Sequence, residues 1–399
     1  MMAPKPLQGV RVLDLSRVLA GPFCAMNLAD LGAEVIKIEV PGRGDDSRGF
    51  APRIPGSDDS GYYYSVNRGK RSITLDLRKP EGAKIFLDLV RHADIVVENF
   101  SPGTMDRFDT GYDKLRAVNP KIILCSISGF GQTGPMAAAP AYDIVAQALG
   151  GTMSITGLPG GEPTRCGVSI GDLAAALYGV IGILAALRAR ETTGVGQHLD
   201  IAMLDCQVAW LEDALARYSA TGRIPGPIGS RHPSITPFQQ FHASDGYFVA
   251  GCGNEGIWQR FCDAIDRAEL KADPRFKTNA DRTANHAQLE PILAQHFAPK
   301  PRDYWLSHLE AANVPCAPIA NVEEVSRNAH LAERNMILRA NHPTFSDLIV
   351  PGSPLKTVGG DGTPDTRSPN LGEHNEEVYR RLLGFDAERL AELRAREII

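Results

Sequence analysis

The sequence lacks the cysteine patterns that a disulfide framework or a zinc site would need. Its 399 residues include seven cysteines, an odd number at scattered positions: Cys24, Cys125, Cys166, Cys206, Cys252, Cys262 and Cys316. None forms a Cys-x-x-Cys pair, whereas structural zinc sites and small disulfide scaffolds depend on closely spaced cysteines. We therefore predict a reduced protein with a cytoplasmic location and no metal site.

The sequence also lacks an excess of one charge and a long apolar run. The formal net charge is -5 and the pI is near 6.1, which disfavours nucleic acid or an anionic membrane as the main partner. The stretch Met1–Leu7 has no apolar signal core, and no segment is expected to be long enough to cross a membrane. Hydrophobic residues make up 43%, so we predict a globular chain, and its length favours two domains.

The glycine fingerprint of a nicotinamide-binding fold is missing as well. A strand at Val10–Leu15, a helix through Leu31 and a second strand at Glu34–Glu39 predict a βαβ unit. The predicted turn between them contains Ala20-Gly21-Pro22 instead of Gly-x-Gly-x-x-Gly, and Pro22 has no N–H to offer a pyrophosphate. The pattern therefore predicts an α/β fold without a nicotinamide cofactor.

One acidic side chain, Asp172, stands at the beginning of an otherwise apolar helical pattern that continues to Arg190. The pattern is apolar on nearly every face, so we expect the helix to be buried all round but too short to span a bilayer. Asp172 is expected to cap the free backbone N–H groups and to stay ionised at the positive end of the helix dipole. A plain N-cap is one interpretation. The upstream glycines, Gly150-Gly151 and Gly157–Gly161, favour a ligand close by.

Composition predicts where the domains divide. Gly222–Pro233 is rich in glycine and proline, as linkers are. We predict a large Rossmann-like domain beginning with residues 1–221, a linker at 222–236, a smaller α+β domain at 237–332, and a return to the large domain at 333–399. The histidines of the smaller domain share no metal-ligand spacing.

Basic residues follow two of the predicted strands. Arg71 and Arg78 accompany the strand at Ile73–Leu77, and Arg107 follows the strand at Ile95–Val97. Ligands of α/β sheets bind at the loops after strand ends, so these arginines could hold phosphates. A solvated surface role is the alternative.

Seven short motifs, taken together and in this order, resemble the family III CoA-transferases, the CaiB/BaiF group that includes formyl-CoA transferase. The resemblance covers essentially the whole chain. Its motifs are Gly9–Asp14 with Ala20–Pro22, Leu31–Glu39, Lys70–Ile73, Glu98–Gly103, Tyr142-Asp143 with Gln147-Ala148, the Asp172 segment, and Pro369–His374.

The resemblance implies a large Rossmann-like domain, a small domain and two chains interlocked as a homodimer. It makes Asp172 the nucleophile and CoA or acyl-CoA a substrate, with no tightly bound cofactor. Val40, Ser128 and Pro140 depart from formyl-CoA transferase, which has Arg or Lys there. The residues that it places against coenzyme A are Val18, Leu19, Ala20, Leu75, Arg78, Asn99, Phe100, Thr104, Arg107 and Tyr142.

The chemistry of a carboxylate fits this activity. Asp172 can attack a thioester to give a mixed anhydride, and the CoA thiolate can attack back to give an aspartyl-CoA thioester. Each tetrahedral step needs N–H donors, which Gly157–Gly161 could supply. The α-methylacyl-CoA racemases share the fold but use a His-Asp pair where this chain has Tyr142-Asp143. A phenol with a pKa near ~10 exchanges protons poorly at neutral pH, so we favour a transferase over a racemase or a CoA-binding protein without turnover.

The segment Gly229–Ser234 resembles that of succinate–hydroxymethylglutarate-type transferases, and the long glycine loop of formyl-CoA transferase is missing. A small dicarboxylate is therefore the expected acceptor, with succinyl-CoA as a plausible donor. Arg231 or His232 could pair with the remote carboxylate. An exposed linker Arg and His is the alternative.

Overall fold

A computed structural model describes residues 5–57, 59–343, 345–356 and 363–399. The chain forms two compact units. The first contains the residues up to Thr152, Arg165–Leu215 and Asn328–Ile399, and the second contains Met153–Thr164 and Ala216–Arg327. The second unit thus begins before the predicted linker at 222–236, and it takes up the glycine loop Gly157–Gly161 that the sequence pattern assigned to the large domain.

The first unit is built on a six-stranded parallel sheet in the order β3-β2-β1-β4-β5-β6. This order reverses between β1 and β4, as in dinucleotide-binding folds. The α/β prediction is confirmed. The strands are β1 (Arg11–Asp14), β2 (Glu34–Glu39), β3 (Lys70–Thr74), β4 (Ile95–Glu98), β5 (Ile123–Ser128) and β6 (His198–Ala202).

Helices cover both faces of this sheet, because the strands are apolar on both sides. Leu13, Ile73 and Val96 face one layer, whereas Val12, Val35 and Val97 face the other. The helices before residue 222 are α1 (Ala20–Asp30), α2 (Gly61–Asn67), α3 (Pro80–Val90), α4 (Thr104–Arg107), α5 (Tyr112–Val118), α6 (Asp143–Leu149), α7 (Thr152–Ile155), α8 (Ile170–Thr193), α9 (Met203–Ala209) and α10 (Ala214–Thr221), with a 3₁₀ turn at Asp46–Gly49.

The predicted turn at Ala20-Gly21-Pro22 is wrong, because these residues form the first turn of α1. Proline is tolerated there since the first N–H groups of a helix have no intrahelical partner. The strand-to-helix connection is therefore shorter than predicted, and it lies at Leu15–Leu19.

Helix α8 departs from the prediction in two ways. One face, with Ala175, Gly179 and Ile183, is buried, but Leu177 and Ile181 are 41% and 60% exposed in the single chain, so burial all round is wrong. The helix has 24 residues, so the prediction that it is too short to span a bilayer is also wrong. Among the described residues it is the one helix whose length and composition would allow a membrane span, a test that buried core helices of soluble proteins also pass.

The second unit contains an antiparallel sheet in the order β7-β8-β9 with helices against one face. Its core is aromatic, with Trp258, Phe261, Phe297 and Trp305 in contact. Its elements from residue 222 to 327 are β7 (Phe238–Ala243), β8 (Gly246–Gly251), α11 (Glu255–Ala264), α12 (Glu269–Ala272), α13 (Asn279–Ala284), α14 (His286–Phe297), α15 (Arg302–Ala311), β9 (Cys316–Pro318) and α16 (Val322–Ser326).

The C-terminal part returns to the first unit. Val378 and Leu390 pack into the same core as Leu13 and Phe86 of the sheet and α3. The return that the sequence predicted for this part therefore completes one helical layer of the large unit. Its elements are α17 (Ala329–Glu333), β10 (Ile337–Arg339), β11 (Ile349–Pro351), α18 (Asn375–Leu383) and α19 (Ala387–Ala395).

Candidate active site

Asp172 is the third residue of α8 and is half-buried in the helix's first turn. It does not precede the helix as a cap would, and Ser169 at the cap position makes no side-chain capping bond. The cap comes from another helix. Asp143, the first residue of α6, accepts a hydrogen bond from the Gly171 N–H through Oδ1 at 2.8 Å. The prediction of Asp172 as an N-cap is therefore wrong.

Asp143 is held by further contacts. Its Oδ2 accepts bonds from Gln147 Nε2 at 2.7 Å and from Arg165 Nη2 at 3.3 Å. Gln147 Oε1 in turn accepts the Cys166 N–H at 3.0 Å. Both the start of α8 and the segment that leads into it are thus attached to α6.

The environment of Asp172 disfavours its charged form. Burial, followed by the negative charge of Asp143, raises the pKa of Asp172 to about 7. The prediction that the helix start keeps this carboxyl ionised therefore does not hold at neutral pH, because the protonated form is present there. A carboxylate with this pKa is a stronger base than that of an ordinary aspartate.

Tyr62 on α2 faces the same cluster of carboxylates. Burial, and then the charges of Asp172, Asp45 and Asp143, raise the pKa of its phenol to about 12. The hydroxyl group is therefore protonated across the physiological range and can donate a hydrogen bond.

The turn after β1 lies where the strand order of the sheet reverses. Arg17 N–H donates to Asn99 Oδ1 at 2.8 Å, and Asn99 Nδ2 donates to the Arg17 carbonyl at 2.8 Å. Val18 has a φ of 68°, a strained value for a β-branched residue, and its N–H donates to Asp45 Oδ1 at 3.1 Å. The predicted CoA residues of the turns after β1 and β4 are thereby brought together.

Buried ion pairs stabilise this turn. Lys37 Nζ lies 2.9 Å from Asp45 Oδ2 and donates to the Ser16 carbonyl at 2.9 Å. Lys70 Nζ contacts Asp14 Oδ2 at 2.8 Å. Burial opposes ionisation, but the charge of Lys37 lowers the pKa of Asp45 to about 2. The ion pair with Lys37 therefore fixes the Asp45 carboxylate, which accepts the Val18 N–H.

The other residues that the resemblance places against CoA lie near strand ends. Leu75 is buried in the core and Arg78 binds Asp76 through two contacts of 2.8 and 2.9 Å. Leu19 and Ala20 start α1, and Phe100 lies 5.7 Å from the Arg17 guanidinium. Thr104 Oγ1 accepts a bond from Arg107 at 2.6 Å, and Tyr142 is 81% exposed before α6.

The predicted acceptor residues belong to the second unit. His232 Nδ1 accepts the Ser234 N–H at 3.1 Å. Arg231 is half-buried, and its Nε has no hydrogen-bond partner among the described residues. Burial, and then Arg231, lower the pKa of His286. The loop Gly157–Gly161 lies in this unit too, so its oxyanion role stays a prediction.

In the described part of the chain no three His, Cys, Asp or Glu side chains are grouped to hold a metal ion. Sequence reasoning missed the contacts around the start of α8: Gln147 and Arg165 both bond Asp143, and the charge of Asp172 acts on the Tyr62 phenol. The i, i+4 spacing of Asp143 and Gln147 on one helix face is the signal that could have revealed part of this group.

The raised pKa of Asp172 has a consequence for stability. Between the unfolded pKa of about 3.9 and the folded value of about 7, the folded chain holds a proton that the unfolded chain has lost, so stability falls as pH rises through this window. Asp172→Asn removes this pH-dependent loss of stability. We expect the variant to be more stable than the wild type at pH 8 and equally stable at pH 4.

Urea unfolding at both pH values measures this effect. Asp113→Asn is the matched control, because Asp113 is exposed in the first turn of α5 and its replacement relieves no burial. An equal stability difference for Asp172→Asn at pH 4 and pH 8 would contradict the raised pKa.

Comparison with known proteins agrees with this geometry. A model of CoA-transferase family III matches residues 7–375. The chain is 43% identical over 385 residues to the acetyl-CoA:oxalate CoA-transferase of Acetobacter aceti, covering 96% of this chain and 97% of that protein. It is 40% identical over 389 residues to the human succinyl-CoA:glutarate CoA-transferase, covering 98% and 89%.

Among solved structures, a CaiB/BaiF family protein from Brucella suis has a TM-score of 0.85 and 39% identity, covering 95% of this chain and 100% of that one. The sequence motifs, the parallel sheet and these comparisons lead to one conclusion: the chain belongs to CoA-transferase family III.

Proposed function

We propose that this protein transfers CoA from an acyl-CoA thioester to a small dicarboxylic acid, with Asp172 as the nucleophile. The dicarboxylate is supported by the relatives, whose names specify oxalate and glutarate as acceptors. The assignment of the nucleophile rests on the environment of Asp172. Its carboxyl is half-buried in the first turn of an apolar helix and has no hydrogen-bond partner among the described residues. Succinyl-CoA is a plausible donor, and no tightly bound cofactor is required.

The reaction balances on one carboxylate. An Asp172 oxygen attacks the thioester carbon, and CoA leaves as the thiolate, which produces a mixed anhydride. The thiolate then attacks the Asp172 carbonyl carbon and releases the donor acid, which leaves an aspartyl-CoA thioester. The acceptor carboxylate attacks this thioester to form a second anhydride, and the thiolate attacks the acceptor's acyl carbon. The products are the new acyl-CoA and free Asp172.

Three features of the first unit suit these steps. The half-burial of Asp172 in the first turn of an apolar helix limits the access of water, which would hydrolyse the anhydride. The protonated Tyr62 phenol can donate a hydrogen bond to an oxyanion formed near Asp172. The turns after β1 and β4 lie at the reversal point of the sheet, where ligands of such folds bind, and Val18 and Asn99 of the proposed CoA contacts lie in these turns.

Trapping of the intermediate tests the nucleophile. Hydroxylamine added with succinyl-CoA should convert Asp172 into its hydroxamate, because the aspartyl-CoA thioester is an activated acyl group. Peptide mass spectrometry locates the adduct. Asp172→Asn should bind CoA normally and lose transfer, since an amide oxygen is a poor nucleophile. Substantial transfer by this variant, or an adduct on Asp143, would refute the assignment.

The partnerless Nε of half-buried Arg231 supports its role in binding the remote carboxylate of the acceptor, with His232 as its neighbour. A hydrogen bond to a charged group contributes about 1.5–3 kcal/mol, so Arg231→Ala should raise the KM for glutarate by roughly tenfold or more. The KM for formate, which has no second carboxylate, should change little.

Arg223→Ala is the matched control, because Arg223 is an exposed arginine of the same unit and its loss should leave both KM values unchanged. Equal effects of Arg231→Ala on glutarate and formate, or transfer confined to monocarboxylates, would exclude this role.

We also propose an interlocked homodimer with a cytoplasmic location. The support for the dimer is the family resemblance together with the exposed apolar residues of α8, such as Leu177 and Ile181, because large exposed apolar patches mark interfaces. Light scattering at micromolar concentration should give the mass of two chains. A single-chain mass would contradict the dimer.

A further inference from the structure

We propose that Asp143 is a positioning residue for the transfer reaction: its carboxylate fixes the first turn of α8 against α6 and so sets the place of the Asp172 carboxyl. This inference rests on the proposed role of Asp172 as nucleophile. It concerns a residue that does not itself form a bond to the substrate.

The geometry at Gly171 shows how closely the two helices approach. A side chain at this position would meet Asp143 Oδ1 at 3.0 Å and the Cβ of Ala146 at 3.4 Å. Glycine therefore allows α6 to reach the backbone of α8 one residue before Asp172. The distance between the Asp143 carboxylate and this backbone is fixed by a hydrogen bond of 2.8 Å.

The first turn of α8 depends on this bond because it has no local cap. Ser169 at the cap position makes no side-chain bond to the helix, and an uncapped first turn leaves backbone N–H groups without a partner. A capping side chain stabilises the helix that it caps. Asp143 supplies this cap from 28 positions earlier in the chain, so the order of the Asp172 turn is a tertiary property.

The second oxygen of Asp143 binds the segment that precedes α8. Arg165 Nη2 lies 3.3 Å from Asp143 Oδ2 and 3.3 Å from Ser169 Oγ. Gln147 donates to the same Oδ2 at 2.7 Å and accepts the Cys166 N–H at 3.0 Å. The entry to α8 is therefore attached to α6 at three points, all of which converge on Asp143 or its helical neighbour.

The groups that surround Asp172 make a charge effect separable from a positional effect. The charge of Asp143 on α6 raises the pKa of Asp172, and the charges of Asp172, Asp45 and Asp143 all act on the neutral Tyr62 phenol on α2. Arg165 is the counter-ion of Asp143. Removal of the Asp143 charge should lower the pKa of Asp172, whereas removal of its hydrogen bond should displace the carboxyl.

Two variants separate these effects. Asp143→Ala loses both the charge and the bond to Gly171, and a misplacement of about 1 Å lowers rates by roughly 100-fold, so kcat should fall by that order while the KM for acyl-CoA changes by less than about threefold. Asp143→Asn keeps an oxygen for the Gly171 N–H, but its amide NH2 replaces the acceptor of Gln147 and Arg165. It should retain more of kcat than Asp143→Ala, with the rise of the acylation rate moved to lower pH.

The rate of hydroxamate formation on Asp172, followed from pH 5 to pH 9, is the measurement. Asp386→Ala is the matched control, because Asp386 caps α19 by accepting the Arg389 N–H at 2.8 Å and lies outside the site. It should lower the melting temperature and leave kcat and the pH profile unchanged. If Asp143→Ala does not fold, the rate of Asp143→Asn at pH 9, where Asp172 is ionised in both proteins, carries the test.

The outcomes distinguish the two proposals. Wild-type adduct formation on Asp172 together with a wild-type rate for Asp143→Ala would overturn the positioning role and leave the nucleophile intact. A rate for Asp143→Asn as low as that expected for Asp143→Ala would also overturn it, because the asparagine keeps the bond to the Gly171 N–H. Absence of any adduct on Asp172 in the wild-type protein would instead refute the proposed function.

Discussion

Two buried ion pairs determine the conformation of the first strand-to-helix turn, and the candidate site is built on that turn. Lys37 pairs with Asp45 and Lys70 pairs with Asp14, with all four side chains almost wholly inaccessible to solvent. An unpaired charge at such a depth would strongly destabilise the fold, so each of these charges must be buried together with its partner. Once Asp45 is fixed by Lys37, its carboxylate receives the Val18 N–H. The ion pair between Lys37 and Asp45 thus stabilises the strained backbone at Val18.

The same turn explains why a dinucleotide-type sheet need not bind a dinucleotide. In the nicotinamide enzymes a glycine-rich turn offers free backbone N–H groups to a pyrophosphate. Here the N–H groups of Arg17 and Val18 are already bonded to Asn99 and Asp45. The sheet order is shared, but the Arg17 N–H joins this turn to the loop after β4 and the Val18 N–H joins it to Asp45, so neither donor is free for a ligand at this edge.

The surroundings of Asp172 combine stabilising and destabilising contacts. The apolar helix removes water from the carboxyl, and Asp143 places a second negative charge nearby, so the ionised form is disfavoured. The hydrogen bond from Gly171 to the same Asp143 stabilises the turn. One side chain therefore caps the turn that carries Asp172 and raises the basicity of its carboxylate, an arrangement that is typical of catalytic groups. Such sites often sacrifice folding stability for reactivity.

The sequence by itself determined the features that depend on local patterns. Alternating and apolar runs predicted the β1–α1–β2 unit, the apolar helix behind Asp172 and an α/β sheet whose strand ends carry polar residues, and the short motifs predicted the family. These features follow from periodicity and from turn chemistry, which are written along the chain.

Only the tertiary structure decided which groups surround the nucleophile. The cap of α8 comes from Asp143 on another helix, Tyr62 arrives on α2, and the face of α8 with Ile181 stays exposed because α1 and the sheet cover the other side. The protonation of Asp172 depends on burial and on Asp143, so the rule for a helix N-terminus predicted the wrong direction. Desolvation and through-space charge depend on neighbours that are distant in sequence, and no local pattern contains them.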